Sequence, residues 1–170
     1  MGGCADKVPL GDVASLSVAP VYRLGPGDAI RIGVFNETGM SGDFMVADDG
    51  MISFPLLGSV KADGLTPEEL RVAIAAGLGA GYVNNPRVTA QVISYRPYYV
   101  MGEVAQPGRY PLSDRVTVVR AIAVAGGYTY RANKKTVYLR RQGQTEVKLP
   151  ASADFQVLPG DVIRIGERYF

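Results

Sequence analysis

The sequence predicts an α+β (mixed α/β) fold built from two small modules, a small mixed sheet followed by a β-grasp domain. A Pro-Gly-Asp turn that leads into an alternating Ile-Arg-Ile strand occurs at residues 26–32 and again at 159–165. A helix with full N-cap signals separates strand patterns in the first half, and from residue 98 onward the order is β-β-α-β-β. A chain of 170 residues is long enough for two such cores.

The first module is predicted over residues 22–95. Residues 44–54 read as a hairpin, because Asp-Gly at its centre supplies the positive φ that a tight turn requires. Thr66 and Glu69 form a capping box, with proline at the first helical position, and predict the start of a helix. Residues 87–95 then alternate as a long strand.

The second module is predicted over residues 96–149. Residues 98–104 and 109–112 read as two strands joined by a Pro-Gly turn. Thr117 is the predicted N-cap of a short helix that ends at a pair of glycines. Residues 136–149 give a further hairpin, which completes the β-grasp pattern.

The two copies of the repeated turn lie near the two ends of the chain, at residues 26–32 and 159–165. In each copy the proline presets φ, the glycine tolerates positive φ, and the aspartate is predicted to cap the turn rather than act as an active-site acid: Pro26, Gly27, Asp28, Pro159, Gly160 and Asp161. The segments between the copies do not repeat. We therefore expect the second copy to return to the first module and pair in its sheet, so that residues 22–95 and 150–170 form one discontinuous unit.

The composition argues against an enzyme. The chain has no histidine and one cysteine, which excludes a Ser-His-Asp triad, a Cys-His pair and nearly all structural zinc sites. Adjacent carboxylates at Asp48 and Asp49 point in different directions and lack the spacing of a calcium loop. No catalytic residue, no cofactor and no metal site is predicted.

Charge is distributed unevenly along the chain. Residues 1–85 carry 5 basic and 10 acidic side chains (−5), and residues 86–170 carry 13 and 6 (+7). This asymmetry has three possible explanations: a chance distribution of surface charges, a head-to-tail contact between oppositely charged ends of neighbouring copies, or binding of an anionic polymer by the basic half. The composition of one cluster resembles a nucleic-acid surface: Arg131, Lys134, Lys135, Arg140, Arg141 and Lys148 with Tyr128, Tyr130 and Tyr138. No nucleic-acid-binding motif accompanies it, so a solvated hairpin face is favoured and no nucleic acid is predicted.

The N-terminal residues 1–21 read as an arm or linker. Met1-Gly2-Gly3-Cys4 places two small residues directly before the only cysteine, which looks like the end of a bacterial lipoprotein signal. On that interpretation Cys4 carries a lipid, and Ala5 after it permits delivery to the outer membrane. The alternative is an incidental free thiol in a flexible tail.

Several motifs together resemble the outer-membrane polysaccharide export (OPX, Wza-like) family. Residues 22–28 (Tyr-Arg-Leu-Gly-Pro-Gly-Asp), 49–60, 64–70 and 82–88 are similar to its polysaccharide-export domain. Residues 99–110, with 121–127 (Ala-Ile-Ala-Val-Ala-Gly-Gly), resemble the soluble-ligand-binding β-grasp (SLBB) module that follows that domain.

The resemblance implies a periplasmic, ring-forming component of a capsule or exopolysaccharide exporter that conducts the polysaccharide without chemistry of its own. It implies a homo-oligomeric ring, and as partner an inner-membrane polysaccharide co-polymerase/tyrosine autokinase. The chain has one SLBB-like module, and its sequence ends at Phe170 without the amphipathic helix of Wza-like relatives. We therefore expect it to need a separate outer-membrane β-barrel, with a lipid at Cys4 as its own anchor.

Two other functions remain open at this point. One is a monomeric carbohydrate-binding or other ligand-binding β-grasp protein. The other is a glycan-modifying enzyme that uses paired carboxylates, such as Asp48 with Glu37 or Asp43.

Overall fold

A computed structural model of the chain describes residue 10 and residues 21–113, 115–141, 143–153 and 155–168. Within these residues it contains two α-helices, one 3-10 helix and ten strands, so the predicted α+β class is confirmed. Backbone contacts divide the chain into two compact units, Pro20–Arg96 and a second unit that holds Pro97–Phe170. Each unit has its own buried apolar core.

The first unit combines a three-stranded sheet, a separate hairpin and one helix. Its elements are β1 (Ala29–Val34), a 3-10 turn (Thr38–Met40), β2 (Gly42–Met45), β3 (Met51–Phe54), β4 (Gly58–Lys61), α1 (Pro67–Gly79) and β5 (Val88–Ser94). The sheet has the order β2-β1-β5 with antiparallel neighbours, and β3 pairs with β4. Ile30 and Ile32 of β1 lie in the same core cluster as Leu70 and Ile74 of α1.

Helix α1 begins where the sequence predicts it. The Thr66 hydroxyl accepts a hydrogen bond from the Glu69 backbone N–H at 3.1 Å, and the Glu69 carboxylate accepts one from the Thr66 N–H at 2.8 Å. Leu70, Ile74 and Leu78 then form the buried stripe, at intervals of four residues that keep them on one face of the helix.

The hairpin predicted over residues 44–54 is wrong. The Asp-Gly turn does form, because the Gly50 N–H donates to the Ala47 carbonyl at 2.9 Å and Gly50 has φ +80°. The Gly50 carbonyl, however, accepts hydrogen bonds from the N–H groups of Ala62 and Asp63, both at 2.9 Å. The turn is thereby fastened to the end of β4, and β3 continues along β4 instead of β2.

The second unit is a five-stranded mixed sheet covered on one face by a short helix. Its elements are β6 (Tyr98–Gly102), β7 (Gly108–Tyr110), α2 (Val118–Val124), β8 (Thr136–Arg140), β9 (Val147–Pro150) and β10 (Val162–Ile165), in the sheet order β7-β6-β10-β8-β9. The buried side chains of α2 are Val118, Ala121 and Ile122. The Thr117 hydroxyl accepts from the Arg120 N–H at 3.4 Å, and Gly126 and Gly127 follow the helix with φ near +80°.

The expected return of the second Pro-Gly-Asp copy to the first module is wrong. Strand β10, which follows that copy, runs parallel to β6 and antiparallel to β8 in the centre of the second sheet. Ile163 and Ile165 are buried in the second core, together with Val100 and Leu139. The hairpins β6-β7 and β8-β9 do not pair with each other, and β10 lies between their first strands, β6 and β8. Residues 155–165 therefore belong with the second unit, and the discontinuous unit of 22–95 with 150–170 does not form.

The predicted N-terminal arm lies largely outside the described residues, and so does Cys4. Within it, Leu10 makes an isolated parallel bridge to Lys148. Among the described residues, neither helix has the length and apolar character needed to cross a membrane.

Candidate functional site

The first Pro-Gly-Asp turn is built around a fully buried carboxylate. Asp28 accepts hydrogen bonds from the backbone N–H groups of Gly25 at 2.8 Å and Arg96 at 2.9 Å, and from the Tyr22 hydroxyl. The Arg96 Nε lies 3.9 Å from the same carboxylate. Burial, and then the hydrogen bond to Asp28, raise the pKa of Tyr22 far above its usual value, so this hydroxyl stays protonated and donating.

The second turn repeats this geometry in the other unit. Asp161 is buried and accepts from the Leu158 N–H at 2.8 Å, while the Arg141 Nε lies 3.5 Å from the carboxylate. In both copies the aspartate N–H donates to the carbonyl three residues earlier at 3.1 Å, and the glycine has positive φ, +93° at Gly27 and +82° at Gly160. A proline followed by a positive-φ glycine is the signature of a type II turn. These contacts support a structural role for both carboxylates.

Two of the other carboxylates considered in the sequence, Asp43 and Asp49, are engaged locally. The Asp43 carboxylate pairs with the Arg31 guanidinium at 2.7 Å, and that hydrogen bond lowers the pKa of Asp43. Asp49 accepts from the Met51 N–H at 2.9 Å. A general acid needs a raised pKa, so the lowered pKa of Asp43 opposes that role. In the part of the chain that the structure describes, no three His, Cys, Asp or Glu side chains are placed to hold a metal ion.

An open groove of about 530 Å³ lies on the first unit. It forms where β1 ends, β5 begins and the first turns of α1 come alongside. Its lining is Gly33, Val34, Phe35, Ser41, Arg71, Pro86, Arg87, Val88 and Thr89. The ring of Phe35 is 66% exposed, which makes it the main apolar surface that the groove offers to a ligand.

The polar groups of the groove are mostly satisfied within the protein. The Ser41 hydroxyl accepts from the Val34 N–H at 2.8 Å and donates to the Glu37 carbonyl at 3.0 Å. Arg71 pairs with Glu68 through two hydrogen bonds. Arg87 differs, because its guanidinium lies 5.9 Å from the centre of the Phe35 ring and has no ion pair among the described residues. The groove therefore offers one available cation beside an exposed ring, which suits weak binding of a polar ligand.

Sequence reasoning missed Phe35 and Arg87. The alternation of β1 buries Ile30, Ile32 and Val34, so the next residue in the chain falls on the opposite, solvent-facing side. A large aromatic side chain at that position was a signal that could have been noticed. Arg87 carried no comparable signal, because only the pairing of β5 with β1 brings it to Phe35.

The structure separates the basic and tyrosine cluster of the second half into different surroundings. Arg131 forms an ion pair with Glu167 at 3.1 Å, and Arg141 belongs to the second turn. Tyr138, Arg140 and Lys148 lie on adjacent strands β8 and β9, where Tyr138 stands directly opposite Lys148. One contiguous nucleic-acid-like surface does not result.

Comparison with known proteins identifies both units. Residues 16–93 match the family described as polysaccharide biosynthesis/export protein, and residues 97–150 match the SLBB domain. The chain belongs to the polysaccharide-export family and carries one SLBB module. This polysaccharide-export protein therefore has the membership that its sequence motifs predicted, with an export module in the first unit and the SLBB module in the second.

Curated relatives of the export protein come from several bacteria. The exopolysaccharide production protein ExoF of Rhizobium meliloti (strain 1021) is 30% identical over 151 residues, which cover 80% of this chain and 36% of ExoF. The EPS I polysaccharide export outer membrane protein EpsA of Ralstonia nicotianae is 31% identical, covering 96% of this chain and 51% of EpsA. The polysialic acid transport protein KpsD of Escherichia coli is 28% identical over 67% of this chain and 21% of KpsD. The chain thus spans about half or less of the length of these relatives.

Proposed function

We propose that this protein is a periplasmic, ring-forming component of a capsular or exopolysaccharide exporter, which passes glycan toward the outer membrane without chemistry. The observation that carries the proposal is the succession of an export module and an SLBB module, each folded around its own core. Relatives that align with most of this chain are named for exopolysaccharide production or export. Ring formation is the finer part of the proposal and rests on the family resemblance.

The geometry of the first unit supports a conduit. A hydrated glycan slides past a surface only if each contact is weak, because tight sites would slow its passage. The groove beside Phe35 is open, and the hydroxyl of Ser41 is already hydrogen-bonded within the protein. Asp43, one of the carboxylates considered for an enzyme, is engaged in an ion pair with Arg31. These features favour transient contact over catalysis.

The partners follow from the same resemblance. The ring would stack on an inner-membrane polysaccharide co-polymerase/tyrosine autokinase and deliver glycan to a separate outer-membrane β-barrel. A lipid on Cys4 would hold the protein at the outer membrane, in keeping with the name of the relative EpsA as an outer membrane protein. Mass spectrometry of the full-length protein from membranes tests the anchor. A diacylated Cys4 is expected, and an unmodified thiol would overturn it.

The decisive experiment combines gene deletion with imaging. Deletion should abolish surface polysaccharide and leave polymer behind in the cell, and complementation should restore export. Electron micrographs of the protein purified from membranes should show closed rings. Normal export after deletion would refute the proposed function. A strict monomer in light scattering, with lipid and co-polymerase present, would refute the ring.

A monomeric carbohydrate-binding protein is the second candidate, and the Arg87–Phe35 arrangement favours it. Such a protein would bind sugar as a monomer and leave export unaffected when deleted. Incubation with isolated polymer tests the enzyme alternative, because an unchanged chain length is expected for a conduit and shortened chains for a hydrolase.

A further inference from the structure

Within the second unit, no described element packs on one face of the sheet. Helix α2 and the buried residues occupy the opposite face. Residues directly opposite in register share a face, so cross-strand pairing shows which side chains stand together. On the uncovered side stand Tyr99, Arg109, Tyr138, Arg140, Lys148 and Arg164, which we name the basic sheet face.

The cations of this face are arranged around tyrosines. One row across the sheet runs from Arg109 through Tyr99 and Val162 to Arg140. The second row runs from Met101 through Arg164 and Tyr138 to Lys148. At a strand spacing of roughly 4.8 Å, the first row separates its two arginines by about 14 Å, with Tyr99 between them. This is an extended platform with a positive charge at each end.

Only one of the four cations of the face is neutralised within the part of the chain that the structure describes. Arg164 forms a two-bond ion pair with Glu146, with Nε 3.0 Å from the carboxylate. Arg109, Arg140 and Lys148 have no ion pair among the described residues. Three positive charges therefore remain available to an anionic ligand.

Part of the face is fixed before any ligand arrives. The Arg164 guanidinium lies 4.0 Å from the centre of the Tyr138 ring, and its pair with Glu146 holds it there. Tyr99 is 43% exposed, and Met101 beside it on the same strand is 46% exposed. The arrangement of Arg164 on Tyr138 reduces the ordering cost of binding, and the exposed Tyr99 is accessible to a ligand.

We propose that the basic sheet face binds acidic sugar residues of an anionic polysaccharide. Carboxylates of the glycan would pair with Arg109, Arg140 and Lys148, and a sugar ring between them would stack on Tyr99. The inference rests on the proposed export function and narrows its substrate to a charged glycan. Charge complementarity favours this occupant, since the +7 balance of residues 86–170 makes the half that bears the face attractive to an extended polyanion.

Titration calorimetry of the full chain with oligogalacturonate, and with a maltooligosaccharide of equal length as the neutral probe, tests the inference. Saturable binding of oligogalacturonate that weakens at high salt is expected, with at least tenfold weaker binding of the neutral probe. The double variant Arg140→Glu with Lys148→Glu should lose at least tenfold in affinity. Tyr99→Ala should lose about threefold, which is under 1 kcal/mol.

The matched control is Arg120→Glu with Lys134→Glu. It changes the net charge by the same amount, but Arg120 lies on the helix that covers the opposite face and Lys134 lies in the loop before β8. Its affinity should change less than twofold. An equal loss in this control, or equal binding of the neutral probe, would overturn the assignment of the face.

A second copy of the chain is the competing occupant. Concentration-dependent association in light scattering that is abolished by Arg140→Glu with Lys148→Glu would assign the face to self-association and overturn the glycan assignment. The export assay separates this inference from the proposed function. If deletion abolishes export while the native chain does not bind oligogalacturonate, only the inference about the face fails. If export is normal after deletion, the proposed function itself fails.

Discussion

The two Pro-Gly-Asp copies form the same turn but place their strands in different sheets. Both aspartates are buried, and both glycines have positive φ. Strand β1 runs between two antiparallel neighbours, whereas β10 has one parallel and one antiparallel neighbour. The seven-residue repeat therefore specifies a turn and the start of a strand, and it carries no information about which strands pair with it.

A further correspondence links each turn to its neighbouring strand. Arg96 follows β5, the antiparallel partner of β1, and lies beside Asp28. Arg141 follows β8, the antiparallel partner of β10, and lies beside Asp161. In both units an arginine just beyond the partner strand thus meets the buried carboxylate. The carboxylate fastens the turn to the end of the adjacent strand, which gives its burial a structural reason.

Removal of either carboxylate should give the largest effect. Asp28→Ala or Asp161→Ala leaves buried N–H donors and an arginine without their acceptor, which costs about 3–5 kcal/mol of unfolding free energy. Native-state hydrogen exchange on the full chain should show the loss mainly in the unit that contains the substitution. The exposed Asp48→Ala is the control, with a change within about 0.5 kcal/mol. Similar losses in both units from one substitution would contradict a local role.

Tyr22→Phe tests a difference between the copies. The position that corresponds to Tyr22 in the second copy is Phe155, which is buried and has no hydroxyl. The substitution removes a hydrogen bond to a buried charge and should destabilise the first unit by about 1.5–3 kcal/mol. A loss below about 0.5 kcal/mol would mean that backbone N–H groups alone satisfy the Asp28 carboxylate. The hydroxyl would then be dispensable in the first copy, just as the second copy has phenylalanine at that position.

The same substitution should change stability at alkaline pH. The pKa of Tyr22 is raised in the folded state by burial and by Asp28, so its contribution is fully present below the unfolded pKa near 10.0 and is lost as the pH rises above it. Denaturant unfolding of the native chain should therefore weaken more steeply above pH 10 than that of Tyr22→Phe. Parallel curves would show that Tyr22 is not the group responsible.

Alanine at the turn glycines should have a smaller, matched effect. Gly27 and Gly160 both have positive φ, where a Cβ costs about 1–2 kcal/mol. Gly27→Ala and Gly160→Ala should therefore destabilise their units by similar amounts in hydrogen exchange. Gly108→Ala is the control, because a Cβ there meets nothing within 4 Å and no positive φ is involved. Unequal losses at the two turns would show that the copies differ in backbone strain as well as in partners.

Local signals in the sequence were sufficient to predict most helices, strands and turns, but not to predict which strands pair. The Thr66 and Glu69 capping box and the turn at Gly27 depend on neighbours a few residues away, so they could be predicted. The place of β10 between β6 and β8 depends on two hairpins that are distant in the sequence. A local sequence pattern therefore cannot predict it. The same holds for the Arg87–Phe35 contact and for the rows of the basic sheet face, which arise only from register.

The ion pairs of the arginines at the centre of the two Ile-Arg-Ile strands should show the smallest difference in coupling energy between the two copies. Arg31 pairs with Asp43 at a solvent-exposed position, while Arg164 pairs with Glu146, is less exposed and also lies over Tyr138. Hydrogen bonds from these arginines lower the pKa of both carboxylates, so each contribution is present above the unfolded pKa and is lost as the pH falls. A double-mutant cycle on Arg164 and Glu146 at pH 7 should give about 0.5 kcal/mol, because solvent still screens the pair. The coupling should decrease as the pH falls through the lowered folded pKa of Glu146. A larger coupling for Arg31 with Asp43 would contradict the view that stacking on Tyr138 makes the second copy the better-ordered pair.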